Sequence, residues 1–188
     1  MNLRIAKFLS NSGYCSRREA EKLIIENKIF INGEICKHPS EKVADNDIVK
    51  INNKIIKRID KVELWKMHKP IKYICSTKDS LKRNKIFDLL PKGMPKLICV
   101  GRLDYMSEGL ILLTNNGNYA RKLELPSSNI IRVYRICIRN KTNKSELIKI
   151  NSGIKIDNIN YKKIKIKIDK LDKSYTWIVA KLKEGKNR

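Results

Sequence analysis

The sequence predicts an α+β fold in two parts. A small N-terminal αα-β module occupies residues 1–60, and a larger domain on a mixed, mainly antiparallel sheet occupies residues 61–188. Three observations predict this. Helical spacing and a capping signature mark two short helices within the first 25 residues. From Leu64 onward the apolar residues come in strand-length runs separated by Asn, Gly and Pro. The charge also changes between the parts: residues 1–60 carry 12 basic and 8 acidic side chains, a net of +4, and residues 61–188 carry 30 and 11, a net of +19.

Ile5, Phe8 and Leu9 sit at helical spacing, and Gly13 ends that run. Ser16-Arg17-Arg18-Glu19 has the S-x-x-E form of a capping box, and Ala20, Leu23 and Ile24 supply the apolar face of the helix behind it. Ile29–Ile31, Asn32-Gly33 and Glu34–Cys36 read as a strand, a type I′ turn and a strand, because both turn positions need positive φ. Ile48–Ile51 is a third extended piece, and Asn52-Asn53 turns the chain into Ile55-Ile56. Lys57–Lys61 is polar and aperiodic, as a linker would be.

In the second part, Tyr73–Thr77 is expected to be extended after the Lys69-Pro70 corner, and Ile86–Leu90 to form a short helix before Pro91. Leu97–Val100 and Leu110–Thr114 read as strands, with Leu110–Leu113 in the core. A short helix starts near Tyr119, Arg132–Arg139 alternates loosely, and Tyr175–Leu182 is a last strand. Tyr161–Ile168 alternates cleanly, with Lys163, Lys165 and Lys167 on one face and isoleucines on the other. Such a face is an ordinary solvated strand surface or a contact for polyanions, and strand lysines also discourage edge pairing.

The net charge of +23 calls for a polyanionic partner, and RNA, DNA and anionic membrane all have the right sign. With 41% hydrophobic residues the chain can bury a core, which excludes a wholly disordered basic tail. Met1–Arg4 runs straight into an amphipathic stretch with no secretory h-region, and no apolar run approaches the roughly 20 residues of a membrane span. The five cysteines form no C-x-x-C pair, which argues against a zinc knuckle or disulfide framework and fits a reducing cytosol. His38 and His68 have no second ligand nearby in sequence and read as turn or surface residues.

The chemistry lies in Gly101-Arg102-Leu103-Asp104-Tyr105-Met106-Ser107-Glu108-Gly109, a glycine-bounded loop between two apolar strands. Such a loop can aim polar groups from a rigid frame, or simply satisfy itself, with Asp104 paired to Arg102. No Ser/His/Asp set and no G-x-x-x-x-G-K-[ST] phosphate loop is present.

Residues 3–56, with their Ser-Arg-Arg-Glu-Ala core and Ile-Asn-Gly turn, resemble the ribosomal S4 RNA-binding module. The stretch VGRLDYMSEGLILLTNNG (100–117) resembles the signature of the bacterial rRNA pseudouridine synthases. It is most similar to the branch of small-subunit synthase A and large-subunit synthase B. HKPIKYICSTKD (68–79), IFDLLP (86–91), LPSSNIIRVYRICI (125–138) and LKEGKNR (182–188) follow that family's order, and the LPSS…RVYRI segment favours the large-subunit type.

The resemblance implies an isomerisation without cofactor or metal, in which the glycosidic bond of a uridine is cleaved and the uracil is rotated and rejoined through carbon. It places the essential aspartate at Asp104, as nucleophile or base, and the active-site tyrosine at Tyr134, stacked on the uracil. Arg102 then helps hold the RNA with the target base flipped out. Arg4, Lys7, Ser16, Arg17, Arg18, Asn32, Lys186 and Arg188 are the expected RNA-binding residues. The expected partner is ribosomal RNA, 23S by the synthase B likeness, free or in an assembly precursor, met by a monomer in the cytoplasm with no membrane contact. The family pattern continues past Arg188 with further glutamine and basic residues, so the chain reads as cut a few residues short. A non-catalytic rRNA-binding or ribosome-assembly factor is the alternative expectation.

Overall fold

Secondary structure follows the punctuation of the sequence closely in the first sixty residues. The structure, a computed structural model, describes residues 2–59, 61–139, 144–156, 158–161 and 163–183. β1 (Leu3–Arg4) leads directly into α1 (Ile5–Asn11), and α2 (Arg17–Ile25) follows the turn at Gly13. The capping box at α2 forms: Ser16 Oγ accepts from the Glu19 N–H at 3.3 Å, and the Ser16 N–H donates to the Glu19 carboxylate at 2.9 Å. Two of the orphan donors at the helix start are thereby satisfied.

The strands of this region are β2 (Ile29–Ile31), β3 (Glu34–Ile35), β4 (Lys42–Val43), β5 (Val49–Ile51) and β6 (Lys54–Ile55). They form a four-stranded antiparallel sheet of order β3-β2-β5-β6 and a two-stranded β1-β4 pair. Both hairpin turns take the predicted left-handed path, with φ of 53° and 93° at Asn32 and Gly33, and 46° and 63° at Asn52 and Asn53. Ile5, Leu9, Ile24, Ile29, Val43 and Ile51 close over one another in a core shared by both helices and the sheet.

A second core is built on an antiparallel sheet of order β7-β9-β8, from β7 (Leu64–Lys69), β8 (Ile98–Val100) and β9 (Gly109–Thr114). Ile111 and Leu113 of β9 pack with Leu97 and with Ile86 of the short 3-10 turn at Ile86–Leu89. Each such side chain contributes roughly 1.5–3 kcal/mol on burial.

Three expectations are corrected here. Leu110–Leu113 is not uniformly core: the pleat sends Leu110 to the opposite face, where it is 68% exposed, while Ile111 and Leu113 are buried. The strand expected at Leu97–Val100 begins only at Ile98, which is exposed, while Leu97 just before it is buried. Tyr73–Thr77 forms no strand beyond a single parallel bridge, Ile74 with Lys85. Its neighbouring backbone groups are engaged elsewhere: Lys72 (φ 64°) donates to Tyr105 O at 2.7 Å, and Ile74 to Asn84 O at 2.9 Å.

By its contacts the chain divides into two compact units, Met1–Lys122 and Leu123–Arg188. Both cores above lie in the first, and α3 (Gly117–Glu124) runs across the boundary at Lys122. The second unit contains an antiparallel sheet of order β10-β14-β13. Its strands are β10 (Arg132–Arg139), β13 (Lys165–Leu171) and β14 (Tyr175–Leu182). A helix α4 (Lys144–Asn151) and a hairpin of β11 (Ile154–Ile156) and β12 (Ile159–Tyr161), none of them expected, precede β13. The alternation read across Tyr161–Ile168 is thus divided between the end of β12 and the start of β13. Among the described residues no helix is long and apolar enough to cross a membrane.

Candidate active site

The loop between β8 and β9 holds Arg102 and Asp104, and its backbone is tied down at successive residues. The Leu103 N–H donates to Cys75 Sγ at 3.4 Å, and that thiol donates to Leu103 O at 3.5 Å. Asp104 O accepts from the Ser107 N–H at 3.0 Å, closing a turn. Tyr105 O accepts from Lys72, and Ser107 O accepts from Lys69 Nζ at 2.6 Å. Gly101 (φ 77°) and Gly109 (φ 122°) flank the loop in backbone regions that a Cβ disfavours, so the glycines permit the entry and exit angles. Both side chains, Arg102 and Asp104, are left exposed. No ion pair joins them among the described residues, so the self-satisfied loop is not what the fold builds.

Lys69 was read from sequence only as part of a corner, yet it is the most consequential side chain beneath the loop. It is 0% exposed, and its ammonium donates to Ser107 O and, at 3.0 Å, to Pro70 O. Burial pushes its pKa down, while the negative fields of Cys75, Asp104 and Glu108 push the other way. The buried cation therefore sits in the electrostatic neighbourhood of the Asp104 carboxylate. A lysine at the end of a strand gives no sequence signal of burial, because the positions that enclose it are remote in the chain.

Cys75 lies under the same loop. A hydrogen bond from Cys99 is the largest cause that lowers its thiol pKa to about 6; burial opposes this, and the Leu103 backbone, Lys69 and Arg102 reinforce it. Beside the loop, Arg83 is held by Asp79 through contacts of 2.6 and 3.1 Å and lies 5.9 Å from the centre of the Tyr105 ring. That arginine holds Asp79 down at about 2.

Tyr134 belongs to the second unit, half-buried on β10 opposite Ala180 of β14. In the first unit, Arg4, Lys7 and Arg17 line a groove of about 650 Å³ together with His38, Ser40 and Lys42. Arg17 stands in the first turn of α2, where free N–H groups already favour anions. The other expected RNA contacts lie elsewhere. Arg18 is exposed but does not line the groove, and Ser16 is engaged in its cap. Asn32 donates to Asp47 at 2.9 Å and accepts from the Ile48 N–H at 2.8 Å, tying the β2-β3 turn to the loop that enters β5. Lys186 and Arg188 lie outside the described residues.

An exposed carboxylate on an immobilised loop, behind a module with a basic groove, suits an enzyme that reacts with a polyanion. Comparison with known proteins places it. The RNA pseudouridylate synthase family model matches residues 63–188, and the S4 domain model matches residues 3–49. An RNA pseudouridine synthase of Rickettsia typhi is 42% identical over 186 residues, covering 98% of this chain and 76% of the relative. The ribosomal large subunit pseudouridine synthase B of Buchnera aphidicola is 39% identical over 201 residues, covering 100% and 76%. That of Bacillus subtilis is 32% identical over 187 residues, covering 98% and 76%. A crystal structure of a pseudouridylate synthase aligns with a TM-score of 0.65 at 23% identity, covering 98% of this chain and 79% of that one, a likeness of fold. The chain belongs to the RNA pseudouridylate synthase family, with an S4 domain ahead of the synthase fold.

Proposed function

We propose that the chain isomerises a specific uridine of ribosomal RNA to pseudouridine, and that the RNA is that of the large subunit. Two relatives named ribosomal large subunit pseudouridine synthase B, matched over nearly all of this chain, support the choice of subunit. Residues 1–60 serve as the RNA-binding module and residues 61–188 as the catalytic domain, acting as a monomer in the cytoplasm.

The observation that carries the reading is Asp104: an exposed carboxylate on a loop whose backbone is held at Leu103, Asp104, Tyr105 and Ser107. The reaction breaks the N1–C1′ bond, forms the C5–C1′ bond and transfers one proton from C5 to N1, so nothing is consumed. Asp104 serves as nucleophile or as base in that exchange, and a fixed loop keeps it at reacting distance without a further entropy cost. Tyr134 presents its ring to the uracil, and Arg102 holds the flanking backbone while the base is out of its stack. The grooved basic surface of Arg4, Lys7 and Arg17 engages phosphates and sets the register of the RNA.

The test is Asp104→Asn, which is close to isosteric and leaves every backbone anchor of the loop in place. It is expected to bind a large-subunit rRNA transcript like the parent protein while forming no pseudouridine, mapped by base-specific chemical modification. Pseudouridine at the parental rate in that variant would remove Asp104 from the chemistry.

A further inference from the structure

We infer that the sheet face formed by Lys165 and Lys167 of β13 and Lys181 of β14 is a docking surface for the phosphate backbone of the RNA substrate, additional to the basic groove near α2. The register of the sheet gathers these residues. Lys165 pairs directly with Lys181, and Lys181 with Val133; Lys167 pairs with Val179, and Val179 with Arg135. Cross-strand partners share a face, so three lysines and Arg135 stand together, and all four are exposed.

Two features separate this face from an ordinary solvated strand. Like charges directly opposite one another destabilise a sheet, and Lys165 opposite Lys181 is such a pair. Edge protection explains lysines on β13, which is an edge strand, but not Lys181, because β14 is the central strand of the three. Neutralisation from within is also lacking. The nearby carboxylate of Asp169 is engaged by Arg135 at 2.8 Å, and that guanidinium is stacked 4.1 Å from the centre of the Trp177 ring. Among the described residues no carboxylate pairs with Lys165, Lys167 or Lys181.

The arrangement fits a nucleic-acid strand. Lys165 and Lys167 are two residues apart along β13, roughly 6.7 Å, a step close to that between successive phosphates along an RNA strand. The stacked Arg135–Trp177 pair, with Arg135 already paired to Asp169, borders the row. The inference rests on the proposed reaction with RNA, which supplies the polyanion.

The test compares the parent protein with the triple variant Lys165→Gln, Lys167→Gln, Lys181→Gln, and with the triple variant carrying arginine at the same positions. The probes are a large-subunit rRNA transcript, duplex DNA and vesicles containing phosphatidylserine. Three lost phosphate contacts lower the slope of log affinity against log salt by about 2 to 3, and weaken transcript binding by about tenfold or more at 0.1 M salt. The arginine variant is expected to keep both. Parental affinity and slope in the glutamine variant would overturn the inference, whether or not it self-associates. So would a loss confined to the vesicles or the duplex DNA. Should the parent protein bind the transcript and form no pseudouridine, the proposed reaction fails, while the salt slopes still decide the surface.

Discussion

Replacing Lys69 by Met isolates the part of the site that the fold itself contributes. The Lys69 ammonium is fully buried and donates to Ser107 O and Pro70 O, at 2.6 and 3.0 Å. Methionine fills similar space but leaves both carbonyls without their donor, at about 1–3 kcal/mol each. Part of that is offset, because a buried cation no longer has to be taken out of water. The net expectation is a loss of about 2 kcal/mol from the unit Met1–Lys122. A urea melt followed through Trp65 fluorescence, in a Trp177→Phe background, reads it directly. Activity should fall further than stability. Ser107 O is one of the anchors of the Asp104 turn, and a displacement of about 1 Å at a reacting group costs on the order of a hundredfold. Single-turnover pseudouridine formation at a denaturant-free temperature where the variant is fully folded is the decisive assay. If Lys69→Met matches the parent in both stability and rate, the ammonium does not hold the loop and the argument from its burial is wrong.

Other expectations follow from local geometry. Ser16→Ala should cost about 1 kcal/mol in a thermal melt through loss of the α2 cap, with RNA affinity unchanged, because the hydroxyl is committed to Glu19. Glu19 itself is held down to about 2, first by Lys78 and then by Ser16. A depressed carboxylate gives stability that is present above its unfolded pKa of about 4.3 and is lost as pH falls through the folded value. Acid titration of Glu19→Gln should therefore show a smaller stability loss between about pH 4.5 and 2 than the parent. Leu113→Ala, at a side chain 1% exposed in the second core, should cost about 2–5 kcal/mol by denaturant titration.

Much of the first sixty residues was legible in sequence because each signal there is local. A capping box acts within one turn, and an Asn-Gly pair adopts positive φ whatever surrounds it, so α2 and the β2-β3 hairpin appear where they were expected. The Asp104 loop was legible for a different reason, as a motif of contiguous residues between two apolar strands. Errors arose where burial depends on partners distant in the chain. Leu110 and Leu113 belong to one apolar run, and only the direction of the pleat against the second core separates exposed from buried. Ser16 and Asn32, expected to contact RNA, also make hydrogen bonds within the protein that the sequence did not signal for Asn32.

By itself, then, the sequence determined the α+β class, the order of most elements, the basic character and the identity of the loop that carries Asp104. Those properties reside in composition, in short periodicities and in contiguous motifs, which need no long-range contact to exist. Tertiary structure alone decided that Lys69 is buried beneath that loop, that Cys75 grips both polar groups of Leu103, and that Lys181 faces Lys165. Each of these joins residues 16 to 38 positions apart. The physical reason is that desolvation and strand register are set by whatever chain returns to the same place, and the residues flanking a position do not encode that return.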